Sequence, residues 1–86
     1  PKFVVGKTYT LRENMNVRIS YKTSAPLVGV KKWTKDAQKH ATKSGLLKKG
    51  TKVTCKDSIT YKGATWIKTP SGWICAVGST GKVFIK

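Results

Sequence analysis

Hydrophobic and polar residues alternate in short segments along most of the chain, and turn-forming residues separate the segments. A period of two is typical of β-strands, because successive side chains of a strand point to opposite faces. The pattern predicts short strands at residues 8–12, 15–20, 51–56, 65–69, 73–77 and 82–85. Within the second of these segments, Val17 and Ile19 are expected to share one face.

Turn signals lie between several of the predicted strands. Pro70-Ser71-Gly72 is a tight-turn sequence, and Gly78-Ser79-Thr80-Gly81 separates the last two strands. Many short strands joined by turns indicate a barrel or a sandwich, and a length of 86 residues favours the smaller barrel. The predicted fold class is therefore all-β, a small barrel of five to seven strands in a single domain over residues 1–86.

A long connection between Tyr21 and Gly45 interrupts the alternation. Helix-forming residues follow Thr34, which with Asp36 is a candidate N-cap, and Gly45 is a candidate stop signal. The sequence predicts a helix of at most two turns inside residues 33–43. Connections of this length in compact domains are often functional.

The charge of the chain is strongly one-sided. Lysine and arginine number 18, the acids are only Glu13, Asp36 and Asp57, and the formal net charge is +15. Such a field favours a polyanionic partner: nucleic acid, anionic lipid or the phosphate-rich polymers of a Gram-positive wall. All the basic residues except Arg12 and Arg18 are lysines. Close phosphate clamping and base readout favour arginine, so a diffuse anionic surface is the better match.

The chain has no apolar stretch of the roughly 20 residues that a membrane-spanning helix needs, and residues 1–5 lack the apolar run of a secretory signal. No membrane contact is expected. A start at Pro1 instead of Met is typical of a domain excised from a larger protein, so targeting information would lie elsewhere.

Four short motifs resemble, in order, the bacterial Src-homology-3 family: Asn16-Val17-Arg18, residues 46–53, Gly63-Ala64-Thr65-Trp66 and Gly72-Trp73-Ile74. The finer pattern is similar to the version in phage amidase endolysins. The motifs of that version are Tyr9-Thr10-Leu11, Asp36 through His40-Ala41, Gly50 to Cys55, Pro70 to Trp73 and Gly81 to Lys86. The resemblance spans nearly the whole chain. Met15, Trp33 and Ala37 depart from it, since Leu, Leu and Gly are expected there.

The resemblance implies a small Src-homology-3-like β-barrel with a short helix in the long loop between the second and third strands. It also implies a non-catalytic module, without cofactor, that targets an attached amidase or other lytic domain to peptidoglycan and teichoic acids. Such a module acts as a monomer at the wall of the target bacterium. It is made in the host cytoplasm if it belongs to a phage endolysin, and secreted if it belongs to an autolysin.

Catalytic and metal-binding alternatives have little support in the residues. Cys55, Cys75 and His40 could be arranged as nucleophile and base, but both cysteines lie in apolar strand segments, where cysteine is typically a small buried hydrophobe. The same three residues leave a tetrahedral zinc site one ligand short. We expect free thiols, because an intervening strand would hold the two backbones about 9.6 Å apart, beyond the ~7 Å that a disulfide spans.

The aromatic residues divide into two groups. Tyr9, Trp66, Trp73 and Phe84 occupy strand positions and are expected in the core. Tyr21, Trp33 and Tyr61 lie in predicted loops beside the groove of such a barrel, where a ring could pack on a ligand or serve the fold. With Arg18 and Lys35 they form the predicted ligand site.

Three binding classes compete for this site. Peptidoglycan, through its peptide stem or bridge, is the leading prediction, and nucleic acid is the alternative because small basic barrels also bind it. Recognition of proline-rich peptides is disfavoured, since the acidic loop residues that would meet basic ligands are scarce.

Overall fold

The computed structural model describes residues 2–86, which form two antiparallel β-sheets and little helix. The first sheet pairs β1 (Thr8–Thr10) with β2 (Lys52–Thr54). The second has the order β3 (Asp57–Tyr61), β4 (Ala64–Thr69) and β5 (Gly72–Val77). A 3-10 turn at Val30–Lys32 and the helix α1 (Lys35–Gln38) complete the regular structure. The chain is thus small and mostly β, as predicted.

None of the helical segments within residues 2–86 has the length and apolar character needed to cross a membrane.

The two hairpins of the larger sheet are set by their turn residues. Tyr61 pairs with Ala64 around Lys62 and Gly63, whose φ angles are +50° and +81°. Two consecutive positive φ angles are the signature of a two-residue type I′ turn, whose twist matches that of the flanking strands. The β4–β5 turn is held by Thr69, whose Oγ1 accepts hydrogen bonds from the backbone N–H groups of Ser71 and Gly72.

Gly72 allows the second hairpin to approach the loop that follows β1. A Cβ atom at this position would lie 2.8 Å from the Arg18 carbonyl oxygen and 2.8 Å from a methyl group of Val17. Its φ of +144° is also in the region that side chains rarely adopt. Arg18 and Trp73 can therefore exchange two backbone hydrogen bonds across this contact, at 2.9 and 2.8 Å.

The core lies on one face of the larger sheet. Ile67, Ile74 and Ala76 are fully buried there. They pack against side chains from the smaller sheet, from the chain between β1 and β2 and from the chain after β5, chiefly Leu11, Val17, Leu47, Val53 and Ile85. Trp66 and Trp73 are 3% and 8% exposed, yet they lie outside this cluster. They alternate with the core residues along β4 and β5, so they occupy the opposite face.

Four predicted strands are confirmed in shortened or slightly extended form, but residues 15–20 are not a strand. Only Met15 and Arg18 form isolated β-bridges there, and Ile19 is 59% exposed while Val17 is buried. The expected shared face of Val17 and Ile19 was wrong. Val28 N–H bonds to Val17, and Ile19 N–H bonds to Pro26, so the segment folds back on its own loop and cannot continue along the sheet.

The predicted carboxyl-terminal strand, residues 82–85, is likewise reduced to single bridges. Val83 bridges to Val77 and Ile85 to Leu11, so the segment changes partner within three residues. The prediction missed β3, because Asp57, Ser58 and Thr60 leave only two large apolar residues in that segment. β3 is at the edge of its sheet, where polar side chains face solvent without cost.

The short helix inside residues 33–43 is confirmed, and the Thr34 side chain caps it by accepting a hydrogen bond from Ala37 N–H. Gly45 as its stop signal was wrong, since the helix ends at Gln38. Lys48 N–H bonds to the His40 carbonyl, and Ala41 bridges to Leu47. This local hairpin takes up the backbone groups that another helical turn would need, and Gly45 lies in it with a φ of +83°.

Both cysteines are free thiols, as predicted. Cys55 is fully buried just before β3, and Cys75 is half-buried in β5. The prediction assumed one meander with residues 65–69 between the two cysteine strands. Instead, Cys55 follows β2 of the smaller sheet, where its N–H bonds to the Lys7 carbonyl, and Cys75 lies in β5 of the larger sheet.

Candidate binding groove

A groove of about 650 Å³ lies on the face of the larger sheet that is turned away from the core. Its floor comes from β4, β5, the carboxyl-terminal segment and Met15 of the segment after β1, and its walls come from residues 14–24, the β3–β4 turn and the 78–80 turn. The floor residues are Met15, Ala64, Trp66, Cys75 and Phe84. The walls are formed by Asn14, Asn16 and Arg18, by Lys22, Thr23 and Ser24, by Tyr61 and Lys62, and by Gly78, Ser79 and Thr80.

Aromatic rings make up much of the floor. Trp66 pairs with Cys75 across the β4–β5 register, and within residues 2–86 its indole N–H neither makes a hydrogen bond nor is fully buried without one. Phe84 is half-buried, and the absence of a side chain at Gly78 lets its ring approach the 78–81 turn, where a Cβ would lie 3.3 Å from Phe84 Cε2. The floor can therefore pack against a ligand, and the Trp66 indole N–H can donate a hydrogen bond to it.

Tyr61 forms one wall of the groove and is supported from behind. Tyr21 packs edge-on against Tyr61, with ring centroids 5.4 Å apart, and against Trp73 at 5.2 Å. Two ammonium groups lie beside the same Tyr61 ring, Lys22 Nζ at 5.8 Å and Lys62 Nζ at 5.5 Å from its centroid. Aromatic edge contacts and cation–π contacts each favour this arrangement by roughly 0.5–1.5 kcal/mol.

The rim of the groove is basic. Arg18, Lys22 and Lys62 line it, and no acidic residue does among the described residues. Arg18 also stabilises the loop, because its guanidinium donates to the Ala25 carbonyl at 2.8 Å. The only ion pair within residues 2–86 joins Lys82 and Glu13, at 3.0 Å, outside the lining. The positive charge at the groove is therefore not neutralised by the protein itself.

The predicted site residues fall in three places. Arg18 and Tyr61 line the groove, and Tyr21 supports Tyr61 without lining it. Lys35 is exposed on α1 and does not line the groove. Trp33 is 3% exposed, and its indole N–H donates to the Val28 carbonyl at 2.9 Å, so both its ring and its polar edge are engaged in the fold. Of the two interpretations of Trp33, the structural one holds.

Sequence reasoning missed the floor and part of the rim. Trp66 and Phe84 were expected in the core; Trp66 is buried and Phe84 packs against the core cluster, but both also line the groove, which alternation alone does not reveal. Lys22 and Lys62 look like any other surface lysines in the sequence. The Lys62-Gly63 pair was the one usable signal, since a Gly-containing two-residue turn predicts a hairpin tip.

Among the described residues, one thiol, that of Cys75, and no imidazole line the groove. Burial raises the pKa of the Cys75 thiol above its ordinary value, and the contact of Sγ with the Val77 carbonyl at 3.6 Å offsets this only in part. The thiol at the groove is therefore protonated at neutral pH. His40 is exposed beyond the end of α1 and does not line the groove. Within residues 2–86, no three His, Cys, Asp or Glu side chains are grouped to hold a metal ion.

Comparison with protein-family models, with curated proteins and with solved structures finds no match to this chain. The chemistry of the groove is consequently the basis for assigning a function. Its aromatic floor, amide and hydroxyl walls and basic rim fit an extended ligand that has apolar or sugar faces, peptide groups and negative charge.

Proposed function

We propose that this chain is a non-catalytic module that binds the Gram-positive cell wall by holding the peptide stem or bridge of peptidoglycan in the groove. The observation that carries the proposal is an aromatic-floored groove with a basic rim that no acidic side chain of the described residues neutralises. Peptidoglycan stems combine peptide groups with free carboxylates. The same ligand would thus meet both features.

The walls supply the polar groups that a bound peptide requires. Asn14 and Asn16 carry amides on one side, and Ser79 and Thr80 carry hydroxyls in the 78–81 turn. All four are exposed, so they can exchange water for peptide N–H and C=O groups. The Trp66 indole N–H adds a donor at the floor. Binding would then be selective for an extended backbone, with the aromatic rings excluding water around it.

We also propose that the fold is the bacterial Src-homology-3 type of barrel. Backbone contacts between the two sheets support it. Val77 bridges to Val83 and Leu11 to Ile85, so the carboxyl-terminal segment lies between β5 and the end of β1. On the other side, Lys56 N–H bonds to Lys68 in β4 directly after β2. These contacts follow the order expected of a small closed barrel.

In this proposal, the module is attached to an amidase or another wall-lytic domain. Tethering raises the effective concentration of the enzyme at its insoluble substrate, which increases hydrolysis without any catalytic group in the module. The place of action is the wall of the target bacterium. The protein would reach it from the host cytoplasm in a phage endolysin, or by secretion in an autolysin.

The test compares two truncations in one strand. Tyr61→Ala removes a groove wall, and Ile59→Ala is the matched control, since Ile59 is also half-buried in β3 but does not line the groove. Tyr61→Ala is expected to weaken retention on purified Gram-positive walls by about 5- to 30-fold, which is roughly 1–2 kcal/mol. Ile59→Ala is expected to change it less than about twofold, and a single Lys35→Ala no more than that.

Sedimentation with walls at physiological salt measures retention, and circular dichroism confirms that each variant is folded. If Tyr61→Ala and wild type were retained equally, the groove would not be the part of the chain that binds the wall. Failure of the wild-type chain to sediment with walls, or release of sugar or peptide products by it, would end the proposal of a non-catalytic wall module.

Nucleic acid is the competing partner because of the net charge of +15. A complex dominated by phosphate contacts should lose about three decades of affinity between 50 and 200 mM salt. Binding of duplex DNA that exceeds wall binding at physiological salt would replace the wall by nucleic acid as the ligand.

A further inference from the structure

A second basic region lies outside the groove. Between residues 31 and 49 the chain has seven lysines and one acid, Asp36, for a formal charge of +6. We call these seven the lysine-rich surface: Lys31, Lys32, Lys35, Lys39, Lys43, Lys48 and Lys49. All seven are exposed, and none lines the groove.

The fold brings this segment together in space. The Gln38 side chain donates to the Lys31 carbonyl at 3.4 Å and to the Trp33 carbonyl at 2.9 Å, so the 3-10 turn and α1 are joined. Lys48 N–H bonds to the His40 carbonyl at 2.8 Å, which returns the chain to the end of α1. Lysines distant in sequence thus come from adjoining backbone, and exposed charges closer than a Debye length of about 8 Å reinforce one another's potential.

The ammonium groups of this surface have no acidic or aromatic partner in the described part of the chain. Within residues 2–86, none of the seven lysines forms an ion pair, and none lies over an aromatic ring. The groove lysines differ, because Lys22 and Lys62 both lie beside Tyr61. Seven like charges beside a single acid, Asp36, which forms no ion pair with them, cost stability, and a bound polyanion would relieve that cost.

The chemistry of the surface also restricts the kind of polyanion. Trp33, the one Trp, Tyr or Phe between residues 31 and 49, is buried, and neither arginine lies in this range. Single-stranded nucleic acid is held largely by base stacking on aromatic rings, and duplex phosphates are clamped most closely by arginine. A flexible phosphodiester chain without bases needs neither feature, and point charges on long lysine stems suit it.

We infer that the lysine-rich surface is a docking site for the polyol-phosphate polymers of the wall, separate from the groove. This inference rests on the proposed function. The surface adjoins the groove at Asn14, whose side-chain oxygen accepts from Lys49 N–H at 2.8 Å. One module would then contact two wall components at once, and the phosphate polymer would hold it while the groove engages peptidoglycan.

The test compares two triple variants of equal charge. Lys35→Gln/Lys39→Gln/Lys43→Gln alters the surface, and Lys56→Gln/Lys68→Gln/Lys86→Gln removes three exposed lysines elsewhere. Each is measured on complete walls, on walls stripped of polyol phosphate, and against soluble poly(glycerol phosphate). The surface triple is expected to lose about tenfold or more on complete walls and to lower the log–log salt slope by about 2, while the control triple changes little. On stripped walls the surface triple should match wild type.

Equal losses in the two triples would show that net charge alone acts, and would overturn the inference. An equal loss on stripped walls would also overturn it, because the surface would then contact peptidoglycan. If duplex DNA displaces poly(glycerol phosphate) at lower phosphate concentration, the assignment of the partner is wrong. Binding of soluble poly(glycerol phosphate) by wild type but not by the surface triple would support the proposed surface. If wild type in addition failed to bind stripped walls, the groove proposal would be contradicted.

Discussion

Trp33 shows how the environment of one side chain decides its role. It was one of three loop aromatics for which ligand contact and structure were both open, and its ring lies in the core with its N–H bonded to Val28. We expect Trp33→Ala to lower the free energy of unfolding by about 3–5 kcal/mol, since a large cavity remains. Trp33→Phe keeps most of the ring and loses the hydrogen bond, so about 1–3 kcal/mol is expected.

Urea denaturation of the two variants measures both effects. Tyr61→Ala is the comparison for binding, because Tyr61 lines the groove and Trp33 does not. Should Trp33→Ala unfold at the wild-type urea concentration and lose wall binding instead, the ring would have to face the ligand, and its assignment to the core would be wrong.

At the scale of elements, the β3–β4 hairpin contains a local conflict at its turn. Lys62 has a φ of +50°, a conformation that favours Gly, Asn and Asp over lysine. The neighbouring Gly63 already suits the type I′ turn, in which Asn-Gly is the preferred pair. We expect Lys62→Asn to raise the free energy of unfolding by about 0.5–1 kcal/mol.

Lys68→Asn is the matched control, since it removes the same charge from the interior of β4, where Asn is a poor strand residue. Its effect on the denaturation midpoint is expected to be zero or destabilising. A destabilised Lys62→Asn would mean that the contact of Lys62 with Tyr61 contributes more than the backbone strain costs.

The same scale explains which elements could be predicted. β4, β5 and their turn carry strong local signals in the alternation of residues 65–69 and 73–77 and in Pro70-Ser71-Gly72, and all three were confirmed. Residues 15–20 and 82–85 have the same alternation but form isolated bridges, because their hydrogen-bond partners change along the segment. Alternation reports a half-buried extended chain and does not distinguish a regular strand from a bridged loop.

The whole molecule has a net charge of +15, and only one ion pair forms within residues 2–86, so most of its lysines have no acidic neighbour. Repulsion among exposed lysines favours expansion, and salt screens it. We expect the Tm to rise by several degrees between 20 and 300 mM sodium chloride, since about 1 kcal/mol corresponds to roughly 4–8 °C in a domain of this size.

Thermal unfolding at constant pH and protein concentration measures this rise. The triple variant Lys35→Gln/Lys39→Gln/Lys43→Gln should start from a higher Tm at low salt and gain less from added salt. A wild-type Tm that is unchanged or lower in 300 mM salt would show that charge repulsion does not limit the stability of this fold.

The sequence by itself determined the β-rich class, the capped helix after Thr34, the free thiols and the excess of positive charge. These follow from local pattern, from composition or from the separation of strands, all of which can be read without knowing which distant residues meet. The core assignment of Tyr9 belongs here as well, since alternation identifies positions that are buried.

Only the tertiary structure decided which face of the larger sheet became core and which became groove. Trp66 and Ile67 are adjacent and both buried, yet Ile67 packs in the core and Trp66 forms part of the groove floor. The smaller sheet covers the face that carries Ile67, and residues 14–24 and 78–80 border the face that carries Trp66. The burial of Trp33 and the exposure of the lysines around it also depend on contacts across the fold. Local sequence cannot specify such contacts, because their partners lie tens of residues away.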